Sequence, residues 1–168
     1  STLDGLTTVN VVATASGTIT GAAADVATAI SAGTINTATN VATTLAAGSA
    51  AATDLTTINA NTTTAVGAAA VSTITGTAAE VAAVVTAAGE ITVAADYAVT
   101  ASGDTSVAQA NVIDADTSGV ITATITEGDA ATLVNLTGTG NAYTITTTDA
   151  SVTAANLNTL DGLTTVNV

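Results

Sequence analysis

Lysine, arginine and histidine are missing from this sequence, and so are cysteine, methionine, proline, tryptophan and phenylalanine; two tyrosines are its only aromatic residues. Each absence removes a class of chemistry. With 13 acidic and no basic side chains the formal charge is -13, which leaves nothing to neutralise phosphates and argues against nucleic-acid binding. An anionic membrane surface repels such a chain too. Without cysteine or histidine there is no disulfide framework, thiolate zinc site or haem ligand. Catalysis would have to run on Asp, Glu, Ser, Thr and Tyr with no His, Lys or Arg to activate or clamp a substrate, so the chain is read as not an enzyme.

What is present is small and repetitive. Threonine and alanine supply 40 residues each of 168, and the apolar 48% is nearly all Ala, Val, Ile and Leu. Such side chains bury little area apiece, so a conventional globular core would be thin and cohesion must come from another source. The most apolar stretch, Val81 to Val99, is interrupted by Gly89, Glu90 and Asp96, and no membrane span is expected. There is no basic segment followed by an apolar one, so any export signal is expected outside this stretch.

The decapeptide TLDGLTTVNV stands at Thr2–Val11 and again, unchanged, at Thr159–Val168, a period of 157 residues. Within it, ITGAAADVATAI from Ile19 matches ITGTAAEVAAVV from Ile74, and a shorter third copy, GDAATLVNL, starts at Gly128. A second motif alternates with the first, aligning Leu3, Ile58, Ile113 and Leu160. These spacings divide residues 1–168 into one continuous stretch with units near 3–57, 58–112 and 113–159, or six coils of roughly 26 residues each, a length that solenoids use. The stretch reads as one period plus overlap from a longer tandem array, with further copies of the same repeat as its partners, in one chain or in a homo-oligomeric fibre.

Inside a coil, the Ala-rich piece carries helix signals: Thr at the start, Asp25 or Glu80 in the first turn, and apolar pairs Val26/Ile30 and Val81/Val85. The β-branched stretches Thr34–Asn40, Val120–Thr126 and Tyr143–Thr148 read as strands, and Gly33, Gly89 and Gly140 as helix stops. Strand, short helix and strand in alternation predict an α/β solenoid with a parallel β-sheet; an all-β parallel β-helix is the alternative. Stacking should set Ile19 beside Ile74, Val26 beside Val81, and Val66 beside Ile121 and Val168. The pairs Thr7-Thr8, Thr62-Thr63, Thr117-Ser118 and Thr164-Thr165 should hydrogen-bond along the stack.

Hard oxygen is the only ligand type on offer, so no cofactor is expected, the exception to consider being calcium at Asp114, Asp116 or Asp129. The glycine-rich nonapeptide of calcium-binding β-rolls is absent, and IDADTSG from Ile113 lacks the rest of an EF-hand loop. The pairs Asp114/Asp116 and Glu127/Asp129 also have the residue types of a two-carboxylate hydrolase, against the plainer reading as helix caps and loops. Thr18-Ile19-Thr20, Thr73-Ile74-Thr75, Thr122-Ala123-Thr124 and Thr144-Ile145-Thr146 are Thr-x-Thr rows of the kind some antifreeze solenoids use to bind ice, and they are also good strand sequence.

At TLDGLTTVNV, ITGTAAEVAAVV and SVTAANLNTLDGLTTVNV the chain resembles the tandem repeats of very large bacterial surface proteins, notably the giant cell-surface proteins of marine cyanobacteria. The resemblance implies export and a part in adhesion, motility or a surface coat, and it supplies no site residues. An extracellular structural segment, with an ice-binding or calcium-binding adhesin as the alternative, is the expectation. Absence of Lys and Arg leaves no trypsin-type cleavage site, and absence of Cys and Met no sulfur to oxidise, which suits material secreted in bulk.

Overall fold

A computed structural model describes residues 4–87 and 89–167. After a single 3-10 turn at Asp4–Leu6 the elements run β1 (Val11–Ala13), β2 (Thr18–Gly21), α1 (Ala23–Ser31), β3 (Ile35–Thr37), β4 (Ala42–Leu45), β5 (Gly48–Ala51) and α2 (Ala52–Ala60). They continue as β6 (Val66–Ala68), β7 (Val71–Thr77), α3 (Ala78–Thr86), β8 (Ile91–Val93), β9 (Ala98–Thr105) and α4 (Val107–Asp114). The last part holds β10 (Ile121–Ile125), α5 (Ala130–Leu133), β11 (Ala142–Thr144) and α6 (Ala154–Leu163). The fold is α/β, with strands and short helices in alternation.

Among the described residues every strand pair is parallel. The sheets are β1-β3, β2-β4-β6-β8 and β5-β7-β9-β10-β11. Paired residues stand one strand–helix segment apart in sequence: Val11 with Ile35, Thr18 with Ala42, Val66 with Ile91, Thr73 with Ala98, Ala123 with Tyr143. Parallel partners need such a crossover, and the helices supply it. Consecutive helices pack side by side, α1 on α2, α2 on α3, α3 on α4 and α5 on α6.

One face of each helix meets the sheet. The first, fourth and seventh helical residues are buried in α2 (Ala52, Leu55, Ile58), α3 (Ala78, Val81, Val84) and α4 (Val107, Ala110, Ile113). That spacing is the helical repeat cut to two turns, and an alanine or valine at the first position lets helix and sheet approach closely. Opposite them, Ala50, Ile74, Val99 and Ile121 are register partners across β5, β7, β9 and β10, and all four are buried. Side chains too small to fill a globule fill this narrow layer, because each packs against its counterparts in the segments before and after.

Three expectations change. Ile19 and Ile74 do not share a column: Ile19 pairs with Thr43 in the four-stranded sheet, Ile74 with Ala50 and Val99 in the five-stranded one. Val66, partnered by Thr43 and Ile91, is likewise separated from Ile121, and Val168 lies outside the described residues. Equivalent motifs 55 residues apart have another segment between them, so the sheet joins unlike sequences, as the buried Thr43 between Ile19 and Val66 illustrates. In α3 the second anchor is Val84, with Val85 half-buried, because the short helix buries residues three apart. Of the three glycines, Gly89 follows α3 with φ +96, Gly140 leads into β11 with φ +85, and Gly33 has no positive φ. Val26 and Val81 hold equivalent places in α1 and α3, on either side of α2. Among the described residues no helix is long and apolar enough to cross a membrane.

Candidate functional site

Helix α4 starts at a capping box, in which Ser106 Oγ accepts from Gln109 N (3.2 Å) and Gln109 Oε1 accepts from Ser106 N (3.0 Å). This start places Ile113 in the core, with Asp114 as the last residue of the helix and Asp116 just past it, where the two tyrosines of the chain are buried. Tyr97 donates its phenol proton to Asp116 Oδ2 (2.8 Å). Asp114 accepts from Asn141 Nδ2 at Oδ1 (2.8 Å) and from Thr137 Oγ1 at Oδ2 (3.1 Å). The buried Asn141 also donates to the Tyr143 hydroxyl (3.1 Å), and its Oδ1 accepts from Ile121 N (2.9 Å). Gly138, at φ +76, lets the Thr137 turn close over Asp114, since a Cβ there would run into the carboxylate.

Burial pushes both phenols above their ordinary range; the hydrogen bond to Asp116 and its charge add to this for Tyr97. For Tyr143 the Asp114 charge adds to burial, while the Asn141 hydrogen bond opposes it. Asp129 stands apart, as N-cap of α5, accepting from Thr132 Oγ1 (2.7 Å) and Thr132 N (3.1 Å). The Thr132 side-chain bond, aided by backbone bonds from Ala131 and Thr132 and opposed by desolvation, holds its carboxyl below the usual range. Glu127 accepts from Val107 N at the start of α4 (3.0 and 3.1 Å), and Asp149 does the same for Ala130 N at the start of α5 (2.7 Å).

The structure therefore connects Asp114 to Asn141, and through it to Tyr143, joins Asp116 to Tyr97, and sends Glu127 and Asp129 to two different helix starts. Among the described residues no three metal-ligating side chains converge. Sequence reasoning missed Tyr97, Tyr143 and Asn141. Their signal was rarity: two large aromatics amid Ala and Val must fill space that nothing else fills, and their hydroxyls then need partners.

The threonine pairs form the most regular arrangement. Thr62 Oγ1 donates to Val41 O (2.6 Å), Thr117 Oγ1 to Tyr97 O (2.6 Å) and Thr164 Oγ1 to Tyr143 O (2.6 Å). Each of these hydroxyls accepts from the amide two residues on, of Thr64, Gly119 and Val166 respectively. The next residue in each pair reaches back as well: Thr63 N bonds Thr39 O (2.8 Å), Ser118 N bonds Ala95 O (2.9 Å) and Thr165 N bonds Asn141 O (2.8 Å). The expected bonds to a neighbouring segment are present at Thr62-Thr63, Thr117-Ser118 and Thr164-Thr165, with backbone carbonyls of the preceding segment as acceptors rather than other threonines; among the described residues the Thr7-Thr8 pair makes none. Thr117→Val is expected to cost about 1–3 kcal/mol, because a buried hydroxyl that both donates and accepts is lost. Thr7→Val at the exposed equivalent should stay within about 0.5 kcal/mol, and urea unfolding of the two variants compares them.

Outward-facing threonines line up as Thr75, Thr100 and Thr122 on β7, β9 and β10, and as Thr124 and Thr144 on β10 and β11, with a register shift between Thr122 and Thr124. Thr18 and Thr20 lie on the other sheet.

No known family, curated protein or solved structure matches the chain. Two arrangements thus define it: a carboxylate–tyrosine network whose partners all lie within the protein, and a threonine turn repeated at three levels.

Proposed function

We propose that the chain is a structural repeat segment of an extracellular fibre or giant bacterial cell-surface protein, serving as scaffold, surface coat, or an adhesion- or motility-associated rod. Its coils stack as an α/β solenoid and further copies of the repeat extend the stack. The threonine turn carries this reading: a Thr followed by Thr or Ser fastens one coil to the coil before at Thr62-Thr63, Thr117-Ser118 and Thr164-Thr165. A device that recurs at three places along the chain strengthens the stack over its length and prepares no single place for a substrate. Pull along the stack is shared by the parallel strand bonds of each level, with the turn bonds added at three of them. A rod carrying carboxylates and no cationic side chain repels its neighbours, so lateral association would need divalent cations between rods.

Gold-labelled antibody against this chain, applied to intact source cells, is expected to decorate surface filaments or a surface coat. Label that appears only after the cells are permeabilised would refute the reading. Repeating the labelling after chelation tests the cation bridges: rods that separate require calcium between them, and bundles that persist do not.

A further inference from the structure

The decapeptide TLDGLTTVNV occurs in two environments within one molecule, and the pair works as an internal control. In the second copy, Thr159–Leu163 form the last half of α6, Leu160 is fully buried, and Leu163 packs against the core. Thr164 and Thr165 then bond back to Tyr143 O and Asn141 O, and Thr164 pairs with Asn141 in parallel register. In the first copy the turn has the same local form, Thr7 Oγ1 accepting from Val9 N (3.1 Å) as Thr164 Oγ1 accepts from Val166 N (3.1 Å). Yet among the described residues neither Thr7 nor Thr8 donates to another segment. Leu6 is 80% exposed and Val9 72%, against 38% for Val166. The first copy is instead bound forward: Val11 N donates to Thr34 O (2.8 Å) and β1 pairs with β3.

We infer that the decapeptide splices successive periods, its helical half and threonine turn fixed to the period before and its strand half fixed to the period after. The partner of the exposed Leu6–Val12 face is then a second copy of this chain, presenting Asn141, Tyr143 and the half-helix Ala154–Asn158. One splice completes three things at once. It continues Ala154–Asn158 into a whole helix, as α6 already shows; it gives Thr7 and Thr8 the carbonyl acceptors that Thr164 and Thr165 have; and it covers Leu6 and Val9. Carrying the Asn141–Thr164 register four residues on sets Ile145 of one period beside Val11 of the next, and Ile35 beyond it. The seam thereby repeats the spacing of the interior, with no gap and no extra residue. This rests on the stacked-coil reading above.

The test is a chain of two periods sharing one decapeptide, residues 1–168 followed directly by 12–168, compared with the single 1–168 chain by amide hydrogen exchange and X-ray scattering. At the junction, the amides equivalent to Thr8 and Val11 should both exchange slowly, at least about tenfold below the Thr8 amide of the free first copy. Scattering should give one straight particle longer by about 29 Å, six levels at strand spacing. Thr164→Val with Thr165→Val at the junction should lower the unfolding midpoint, and Thr7→Val with Thr8→Val in the first decapeptide should not. A junction protected on one side only, or two bodies moving independently, overturns the splice. The interior amides of Thr63 and Ser118 separate the two failures: if they are protected while the junction is open, the splice alone is wrong, and if they too exchange freely, stacking itself is wrong.

Discussion

Replacing Gly119 by alanine is expected to cost more than about 4 kcal/mol and to abolish cooperative folding at moderate temperature, the range reached when a core position cannot relax. A Cβ on Gly119 would stand inside contact distance of the Tyr97 carbonyl and the Asp96 oxygen, which are backbone atoms with no rotamer to escape into. Nor can the strands separate. On one side Ser118 N holds Ala95 O (2.9 Å), on the other Val99 N holds Val120 O (2.9 Å), and Thr117 Oγ1 holds Tyr97 O between them. Relief would break several of these bonds together and expose Tyr97. Gly67, whose Cβ would meet Thr43 O, should behave in the same way. Gly17 has nothing within 4 Å of its added Cβ, so Gly17→Ala should lie within about 0.5 kcal/mol of the parent. Urea unfolding followed by far-ultraviolet circular dichroism compares the three variants, and equal midpoints for Gly119→Ala and Gly17→Ala would contradict the close approach.

The sequence carried the alternation of strand and helix because that is written in local residue choice. Thr77 with Glu80 forms a capping box, Ala52, Leu55 and Ile58 share one helical face, and Ile121, Ala123 and Ile125 alternate along β10. The alignment of Ile58, Ile113 and Leu160 was legible for the same reason, each being the seventh residue of its helix and fully buried. Strand partners were not legible. Ile19 and Ile74 have near-identical surroundings in sequence, and each strand runs straight into its helix, β2 through Gly21 into α1 and β7 through Gly76 into α3, yet the segment between α1 and α2 holds three strands, so that Ile19 meets β4 and Ile74 meets β5. Whether a strand joins one sheet or the other is decided by that extra length, which motif similarity does not register. Of the three carboxylates proposed for calcium, Asp129 was readable as a cap from its place before an Ala-rich helix. The links from Asp114 to Asn141 and from Asp116 to Tyr97 span 27 and 19 residues and needed the turns to be placed first.

Raising the pH through and beyond about 10 is expected to unfold the protein through its two tyrosines alone. Tyr97 and Tyr143 are buried, and a carboxylate faces each phenol, so the native state binds their protons more tightly than the unfolded chain does. The stabilisation they contribute is complete below the unfolded-state pKa near 10 and declines as pH rises above it, by about 1.4 kcal/mol per pH unit for each phenol still protonated in the native state. The sequence has no lysine, arginine, cysteine or histidine to titrate in this window or soften the slope. Tyrosinate absorbance and loss of far-ultraviolet dichroism should therefore rise together in one transition. Tyr97→Phe should roughly halve the slope, and cost about 1 kcal/mol at neutral pH through the lost bond to Asp116. Replacing both tyrosines by phenylalanine should leave stability flat across the alkaline range. Tyrosines that ionise reversibly near their ordinary value, with the dichroism unchanged, would mean that the two rings stand in water rather than closing the core beside α4.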